Sequence, residues 1–397
     1  MFKFKQFGLD ILLGLCGIIF ALSISEIGLR IARVSYPSFY QVDEYRGHAL
    51  IPGFSGWWIQ EGKAWVKINK DGLRDKYYTK DKSKNTFRIA ILGDSFSEAI
   101  QVNLEETFWS FIEQGLRNCP SINNQAVEVI NFGVGDYGTA QELMTLKHQV
   151  KHYSPDMVIL AIFTGNDIVN NSKLLSHNDR FSPFLIEEEG KFFMDFSLKE
   201  TKTYQWRSSL VRKIIFSTIN NFYLLQMINK ARITFKNRDI FWDKETLKND
   251  SFDIIKYLDF VPQLYLEDKD EDWEKAWDIT EELVRMIKQE SETIKAKFLA
   301  VTLSNPAQVY PDKSLRDKYF KQGRVVDQFS PDKRIKALGE KEKFDVLNLA
   351  PEFQYYADKN NQFLHGFKNT VLGSGHWNQL GHKLAGELIT NKVCKIL

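Results

Sequence analysis

The chain has 397 residues, of which 43% are hydrophobic and 14% aromatic, which suits a globular protein of one large domain with insertions or of two domains. Lysine and arginine (53) nearly balance aspartate and glutamate (51), so the net charge of +2 gives no general argument for a nucleic-acid partner. No cysteine and histidine cluster has the spacing of metal ligands and no glycine-rich phosphate loop occurs, so we expect neither a metal nor a cofactor.

The N-terminal segment departs from this soluble composition. Ile11–Ser25 carries no charge, and its apolar pattern extends outward on both sides toward the roughly 20 residues that a membrane span needs. A cleavable signal peptide is the alternative, because Ala21 and Ser23 loosely fit a small-x-small cleavage site. Helical periodicity that continues past this site to Val34 favours an uncleaved membrane anchor over residues 1–36.

The charges that flank this segment bear on its orientation. If Lys3 and Lys5 keep the N-terminus inside the cell, the rest of a single-pass protein lies in the periplasm or outside the cell. Arg30 and Arg33 stand on the other flank, so charge alone indicates this orientation only weakly.

Residues 37–86 form a polar, aromatic-rich extension in which Gly56–Ile68 predicts a hairpin that turns at Glu61-Gly62. From residue 87 to 397, strand and helix patterns alternate, which predicts an α/β three-layer sandwich with a parallel five-stranded sheet. The predicted strands are Phe87–Leu92, Val127–Asn131, Met157–Phe163, Lys297–Leu303 and Asp345–Leu349, and the predicted helices are Glu105–Leu116, Ala140–His152, Trp273–Lys295 and Gln379–Val393.

A long insertion, residues 172–272, separates the third and fourth predicted strands. Lys202 to Arg238 contains eight lysine or arginine residues and no aspartate or glutamate, whereas Glu267 to Glu274 is mostly acidic. Such a run is usually a solvated face. The alternative is a lid whose basic side rests on anionic lipid or binds an acidic glycan.

Four polar segments follow the strands or open the last helix. Gly93–Phe96 comes after the first strand, Asn131–Gly138 after the second and Gly165–Asp167 after the third, and His376–His382 opens the final helix. Because the carboxyl ends of parallel strands lie at one edge of a sheet, the four segments can converge there.

The residue types in these segments suit acyl transfer. A serine hydroxyl becomes a good nucleophile when a base takes its proton, and histidine is the usual base. Ser95 and His376 fill these roles. A tetrahedral oxyanion needs preorganised donors, which we assign to the Asn166 side chain and to backbone N–H groups of Ser95, Gly135 and Asp136.

These segments resemble the four blocks of the SGNH (GDSL-type) hydrolase superfamily, whose members are esterases, lipases, carbohydrate deacetylases and some acyltransferases on a flavodoxin-like sheet. Ser95 matches the family nucleophile, Asn166 the oxyanion-hole asparagine and His376 the base. Asn69–Asp75 and the phrase His376-Trp377-Asn378 also resemble a membrane-anchored bacterial branch of the family. The resemblance covers roughly residues 40–394 without the insertion.

Two positions depart from the family pattern. Asp136 stands where a glycine normally donates its N–H, and Gly373 stands where an aspartate normally precedes the histidine by three residues. The acid that orients the base is therefore missing locally. We expect His376 to rely on a backbone carbonyl, on Ser374 or on a distant carboxylate such as Asp358; with no carboxylate it would act in a dyad.

Some candidate residues have a plainer interpretation. Asn166 is alternatively a turn residue. His382 is expected to be a packed or capping histidine rather than the base. His148 and His152 share one helix face, but they lack the glutamate of the zinc-protease pattern, and a metal role is disfavoured.

We therefore expect an exported, serine-dependent esterase or acyltransferase that acts on ester-linked acyl groups of a glycan or lipid, with its N-terminal helix in membrane lipid. The alternative is an inactive protein of the same fold that binds acylated polysaccharide at the membrane. Whether the acyl group passes to water or to a sugar hydroxyl, and the oligomeric state, are left open.

The flavodoxin-like order also bears on the cysteines. It places the helices that end near Cys119 and Cys394 side by side on one sheet face, which predicts a disulfide between them in an exported domain. Two unrelated thiols are the alternative. Cys16 lies in the apolar anchor with no partner within the span.

Overall fold

A sheet of five parallel strands forms the centre of the protein. The computed structural model describes residues 2–176, 181–236 and 261–397. The strands lie in the spatial order second, first, third, fourth and fifth along the chain, which is the flavodoxin-like order. The middle strand is buried at every position from Met157 to Ile162, as expected for a strand covered on both faces. The predicted fold class is confirmed.

The sheet consists of β5 (Thr86–Leu92), β6 (Ala126–Asn131), β7 (Met157–Ile162), β10 (Lys297–Thr302) and β11 (Asp345–Asn348). Each of these strands begins and ends within one residue of its predicted bounds. Two of the other strands, Ser55–Trp58 and Ala64–Lys67, lie before and after the turn that the sequence predicted at Glu61-Gly62. The strands of the described residues are β1 (Tyr40–Asp43), β2 (Gly47–Leu50), β3 (Ser55–Trp58), β4 (Ala64–Lys67), β5 (Thr86–Leu92), β6 (Ala126–Asn131), β7 (Met157–Ile162), β8 (Phe184–Glu188), β9 (Lys191–Asp195), β10 (Lys297–Thr302) and β11 (Asp345–Asn348).

Helices connect the strands and also build part of the insertion. The α-helices of the described residues are α1 (Phe2–Ile31), α2 (Ser95–Glu98), α3 (Phe108–Leu116), α4 (Thr139–His148), α5 (Asp167–Asn171), α6 (Lys202–Ser208), α7 (Leu210–Asn221), α8 (Tyr223–Lys236), α9 (Glu271–Thr293), α10 (Pro306–Val309), α11 (Lys313–Gln322), α12 (Ser330–Glu342), α13 (Ala350–Asn360) and α14 (Gln379–Ile396).

The side chains of β5 show how the helices cover the sheet. Ile89 and Ile91 lie in one apolar cluster with Ile112 of α3 and Ile389 of α14. Because successive strand residues point to opposite faces, Ala90 is buried on the other side. The four predicted helices correspond to α3, α4, α9 and α14, whereas α2, α5 to α8 and α10 to α13 were not predicted.

The described residues divide into two compact units. The smaller unit contains the residues up to Phe39, Phe54–Trp57 and the described residues between Trp206 and Phe252. Its helix α1 includes a segment of 22 residues, Asp10–Ile31, with mean hydropathy 2.1, which is long and apolar enough to cross a membrane. A membrane anchor and a signal sequence both fit this segment. The larger unit contains the five-stranded sheet and the four polar segments.

Helices α3 and α14 pack against each other; Cys119 lies three residues after the end of α3, and Cys394 lies in the last turn of α14. The two cysteines form a disulfide with a Cα–Cα distance of 5.8 Å. The predicted pairing is confirmed. Cys16 is a free, exposed cysteine.

We expect the double variant Cys119→Ser/Cys394→Ser to lose about 3–5 kcal/mol of unfolding free energy, because the bond closes a very long loop of the unfolded chain. The measurement is urea unfolding of the purified full chain, with Cys16→Ser as the control that leaves the midpoint unchanged. An unchanged midpoint in the double variant, or titration of three free thiols in unreduced wild-type protein, would contradict this expectation.

Candidate active site

Ser95 stands at the carboxyl end of β5, where the chain turns directly into helix α2. The side chain of Asp94 caps this helix by accepting the Phe96 N–H at 2.9 Å. Gly93 is required in the turn, since a Cβ atom there would lie 2.2 Å from the Ser97 hydroxyl oxygen. Ser95 is the first residue of the helix, so its own N–H has no acceptor within the helix. The turn therefore leaves the N–H of the serine available as a donor.

His376 lies against this serine. Its Nε2 is 2.8 Å from Ser95 Oγ, which is hydrogen-bond distance. The segment that holds it leads into α14, where the Asn378 side chain caps the helix by accepting the N–H groups of Leu380 and Gly381. The predicted contact between Ser95 and His376 is confirmed.

His382 is buried elsewhere, as predicted. Its ring stacks on Phe108, with 6.1 Å between centroids, and meets Trp377 edge-on. Burial lowers the pKa of His382 well below its ordinary value. His382 is thus a packed histidine rather than a base for the serine.

Glu61 supplies the carboxylate that orients His376. Its Oε2 lies 2.5 Å from His376 Nδ1, and its Oε1 accepts the backbone N–H of His376 at 2.7 Å. Of the alternatives left open by the sequence, the structure has a distant carboxylate, 315 residues earlier in the chain, so Ser95, His376 and Glu61 form a line of three groups rather than a dyad. Asp358, the distant carboxylate considered from the sequence, instead forms a bidentate ion pair with Arg316 at 2.6 and 2.8 Å.

The turn that carries Glu61 is held by its neighbours. The backbone carbonyl oxygen of Glu61 accepts the Trp58 indole N–H at 2.9 Å. Gly62 has φ 66°, and its N–H and carbonyl groups both bond the side chain of Asn369 at 3.0 Å. Gly375 leaves room for the carboxylate, because a Cβ atom there would lie 2.3 Å from Glu61 Oε1. These contacts fix the glutamate in the position that orients the imidazole.

The charges of the pair reinforce each other. Burial opposes the charged form of His376, but the hydrogen bond and negative charge of Glu61 outweigh it and raise the pKa of the imidazole. Burial likewise opposes the charged form of Glu61, and the bonds from His376 outweigh it and lower the pKa of the carboxyl group. His376 is therefore a stronger base than an isolated histidine.

A second buried histidine lies close to this pair. His365 Nδ1 is 2.7 Å from the Gly375 carbonyl oxygen, and its Nε2 is 3.0 Å from the Ser304 hydroxyl. Burial lowers the pKa of His365 to about 4. It is therefore neutral near pH 7 and adds no positive charge beside His376.

Asn166 reaches the same edge of the sheet. It occupies the N-cap position of α5, but its side chain does not cap that helix. Instead, Nδ2 donates to Oδ2 of Asp94, the residue before Ser95, at 3.3 Å. An amide nitrogen carries two hydrogens, so this bond leaves a second donor for an oxyanion.

We expect Asn166→Ala to lower kcat on a short p-nitrophenyl ester by roughly 10²–10³, as for other single oxyanion donors. The measurement compares purified wild-type and variant proteins with matched thermal midpoints. A kcat that falls only severalfold at an unchanged midpoint would mean that Asn166 is a turn residue.

The second polar segment contributes differently from the prediction. The Gly135 N–H donates to Glu98 Oε2 at 3.0 Å, and the same oxygen accepts the Tyr40 hydroxyl at 2.8 Å. Burial raises the pKa of Glu98 to about 7 despite these bonds. The Gly135 N–H is thus committed to an internal contact. Asp136 follows it with φ 65° and is an exposed residue.

His148 and His152 were expected to share one helix face, but α4 ends at His148 and His152 lies in a separate 3-10 turn, Val150–Tyr153. The His148 ring stacks on Tyr45, with 3.8 Å between centroids. Within residues 2–176, 181–236 and 261–397, no group of three or more histidine, cysteine or acidic side chains is placed to hold a metal ion.

A cavity of about 750 Å³ lies beside the turn of Glu61. It is lined by apolar and basic side chains together with backbone of the turn, among them Gly62, Lys63, Phe363, Phe367, Lys368 and Leu380. Its volume is within the range of small-molecule sites.

No protein-family model and no curated protein matches the chain. Similar solved structures include a GDSL-like lipase from Bacteroides thetaiotaomicron VPI-5482, which is 12% identical, with 81% of this chain and 93% of that chain covered and a TM-score of 0.34. The acetyl xylan esterase AlAXEase is 12% identical, with 77% and 100% covered and a TM-score of 0.38. An acetylxylan esterase of Geobacillus stearothermophilus, in a catalytic mutant, is 12% identical, with 79% and 96% covered and a TM-score of 0.38. The likeness is remote, so the function of this chain is inferred from the contacts of Ser95, His376 and Glu61.

Proposed function

We propose that the chain is an exported, serine-dependent ester hydrolase or acyltransferase that acts on ester-linked acyl groups of a glycan or lipid. The observation that carries the proposal is the line of contacts from Ser95 Oγ to His376 Nε2 (2.8 Å) and from His376 Nδ1 to Glu61 Oε2 (2.5 Å). Three groups in this order are the arrangement that activates a serine for acyl transfer.

In this mechanism, Ser95 Oγ attacks the ester carbonyl carbon while His376 Nε2 takes the hydroxyl proton. Glu61 keeps the other ring nitrogen protonated and stabilises the imidazolium that forms. The oxyanion is stabilised by the Asn166 amide and the N–H groups of Ser95 and Asp136. His376 then gives its proton to the leaving alkoxide, and water or a sugar hydroxyl removes the acyl group from the serine.

The membrane placement in this proposal is supported by helix α1, whose apolar segment is long enough to cross a bilayer. The cavity beside the turn of Glu61 is lined by none of Ser95, His376 and Asn166, so it carries no argument about the substrate.

The alternative is an inactive protein that binds acylated polysaccharide at the membrane. The missing local acid was the main reason for it, and Glu61 now occupies that role. Asp136 remains the feature that supports this alternative, since its negative charge reaches the buried carboxyl group of Asp94 next to Ser95.

A fluorophosphonate probe tests the proposal, because the reagent labels only an activated serine. We expect labelling of the wild-type chain at Ser95 and none in Ser95→Ala. Ser314→Ala is the matched control, since Ser314 is an exposed serine on α11 and its loss should leave labelling unchanged. Absence of labelling in folded wild-type protein would overturn the enzyme and favour the binding protein.

A further inference from the structure

The end of the apolar helix α1 is bonded to the joint between α7 and α8. Both carboxylate oxygens of Glu26 accept backbone N–H groups at the start of α8, those of Tyr223 at 3.0 Å and Leu224 at 2.9 Å. Arg30 donates to the Asn221 carbonyl oxygen at 2.5 Å, and its guanidinium lies 4.8 Å from the centre of the Tyr223 ring. The joint is therefore fixed to the last turns of α1.

The segment after α1 holds the same two helices through buried amides. Gln226 Oε1 accepts the Tyr36 N–H at 2.7 Å and the Ser35 hydroxyl at 3.0 Å. Asn220 exchanges two bonds with the backbone of Ser38, at 3.1 and 2.9 Å. Since Asn220 and Gln226 are only 4% and 2% exposed, these bonds are shielded from water. Helices α7 and α8 are thus attached firmly to this end of α1.

The length of the apolar segment of α1 indicates how deep in a membrane α7 and α8 would be attached to it. Its 22 residues, Asp10–Ile31, span about 33 Å as a helix, close to the roughly 30 Å of a bilayer hydrocarbon core. Glu26 and Arg30 belong to its last six residues, within about 8 Å of its end. If α1 crosses a membrane, α7 and α8 begin at the boundary between hydrocarbon and headgroups.

The surface of α7 is apolar on one side. Leu210, Val211, Ile214 and Ile215 recur at helical spacing, and 43–73% of each is exposed. Helix α8 continues this character with exposed Met227, Ile228 and Phe235, a larger apolar surface than soluble proteins usually leave to water.

The charges of the same stretch have one sign. Residues 202–236 contain seven lysine or arginine residues and no aspartate or glutamate. On α7, Arg212 and Lys213 lie to the side of the apolar stripe, because each helical residue turns by about 100°. Apolar side chains flanked by basic ones are the pattern of helices that lie in the surface of an anionic membrane.

We propose that α7 and α8 form an interfacial hairpin that lies on an anionic lipid surface where α1 leaves the bilayer. A second copy of the chain or an acidic glycan could also meet an apolar or a basic face. An anionic lipid surface accounts for the apolar face and the basic side chains at the same time. The bonds from Glu26 and Arg30 place the hairpin at the depth of the lipid headgroups. The hairpin is thus a second membrane contact, independent of the ester chemistry proposed for Ser95.

The test measures the depth of nitroxide labels in the full chain, reconstituted in vesicles of phosphatidylcholine with phosphatidylglycerol. Cys16→Ser removes the free thiol, and Cys119 and Cys394 remain in their disulfide. Ile214→Cys reports from the apolar stripe, and Lys213→Cys is the control on another side of the same helix. We expect oxygen to reach the label at 214 severalfold better than a water-soluble nickel reagent does, and the reverse at 213.

A variant with Arg212→Glu, Lys213→Glu, Lys230→Glu and Arg232→Glu should make the label at 214 severalfold more accessible to nickel. Equal nickel access at 213 and 214 in the parent background would overturn the proposal. So would shielding at 214 that persists in detergent, or disulfide-linked dimers of the Ile214→Cys variant, since either result assigns the face to protein.

Discussion

Replacing Ser95 with alanine is expected to abolish the hydrolysis of a short p-nitrophenyl ester, a loss on the order of 10⁴–10⁶ in kcat. The Ser95 hydroxyl lies 2.8 Å from His376 Nε2, and without this hydroxyl no acyl-enzyme forms. The assay compares purified wild-type protein with Ser95→Ala, and with Ser314→Ala as the matched control. Unchanged hydrolysis by Ser95→Ala would exclude the serine mechanism.

Glu61→Gln is expected to lower kcat by about 10³–10⁴, because glutamine keeps the size of the side chain but removes the charge that supports the imidazolium. Asp358→Asn is the matched control. It removes a carboxylate that pairs with Arg316 rather than with His376, so kcat should stay near the wild-type value. A kcat near wild type in folded Glu61→Gln would show that the carboxylate is structural.

The pH profile separates an orienting role from a merely structural one. The base must be neutral to accept a proton, so kcat/KM rises with pH as His376 loses its proton. Because Glu61 raises the pKa of His376, the midpoint of this rise should lie above the ordinary histidine value of about 6.5. Glu61→Gln removes the cause and should move the midpoint to lower pH, while Asp358→Asn should leave it in place.

The sheet was predictable because each strand is a short apolar run that ends in a turn residue. β5 and β7 each end before a glycine-containing polar segment, so Ser95 and Asn166 could be placed at one edge from the sequence. The contact of His376 with Ser95 followed from the position of His376 at the start of the last helix.

Glu61 could not be found in the same way, because sequence spacing carries no information on a partner 315 residues away. The available signals were the absence of an acid near His376 and an acidic residue at the tip of a predicted hairpin. The assignment of the Gly135 N–H to the oxyanion hole was wrong for a local reason. Its position in the motif was right, but the buried carboxylate of Glu98, whose role no pattern indicated, binds its N–H.

The distance along the chain between Glu61 and His376 also sets when the nucleophile can become reactive. During synthesis the hairpin and Ser95 appear early, and domains tend to fold from the N-terminus onward. His376 follows Ser95 by 281 residues, so it is the last of the three groups to emerge. Ser95 therefore remains an ordinary alcohol until the segment that carries His376 has been synthesised and has packed against it.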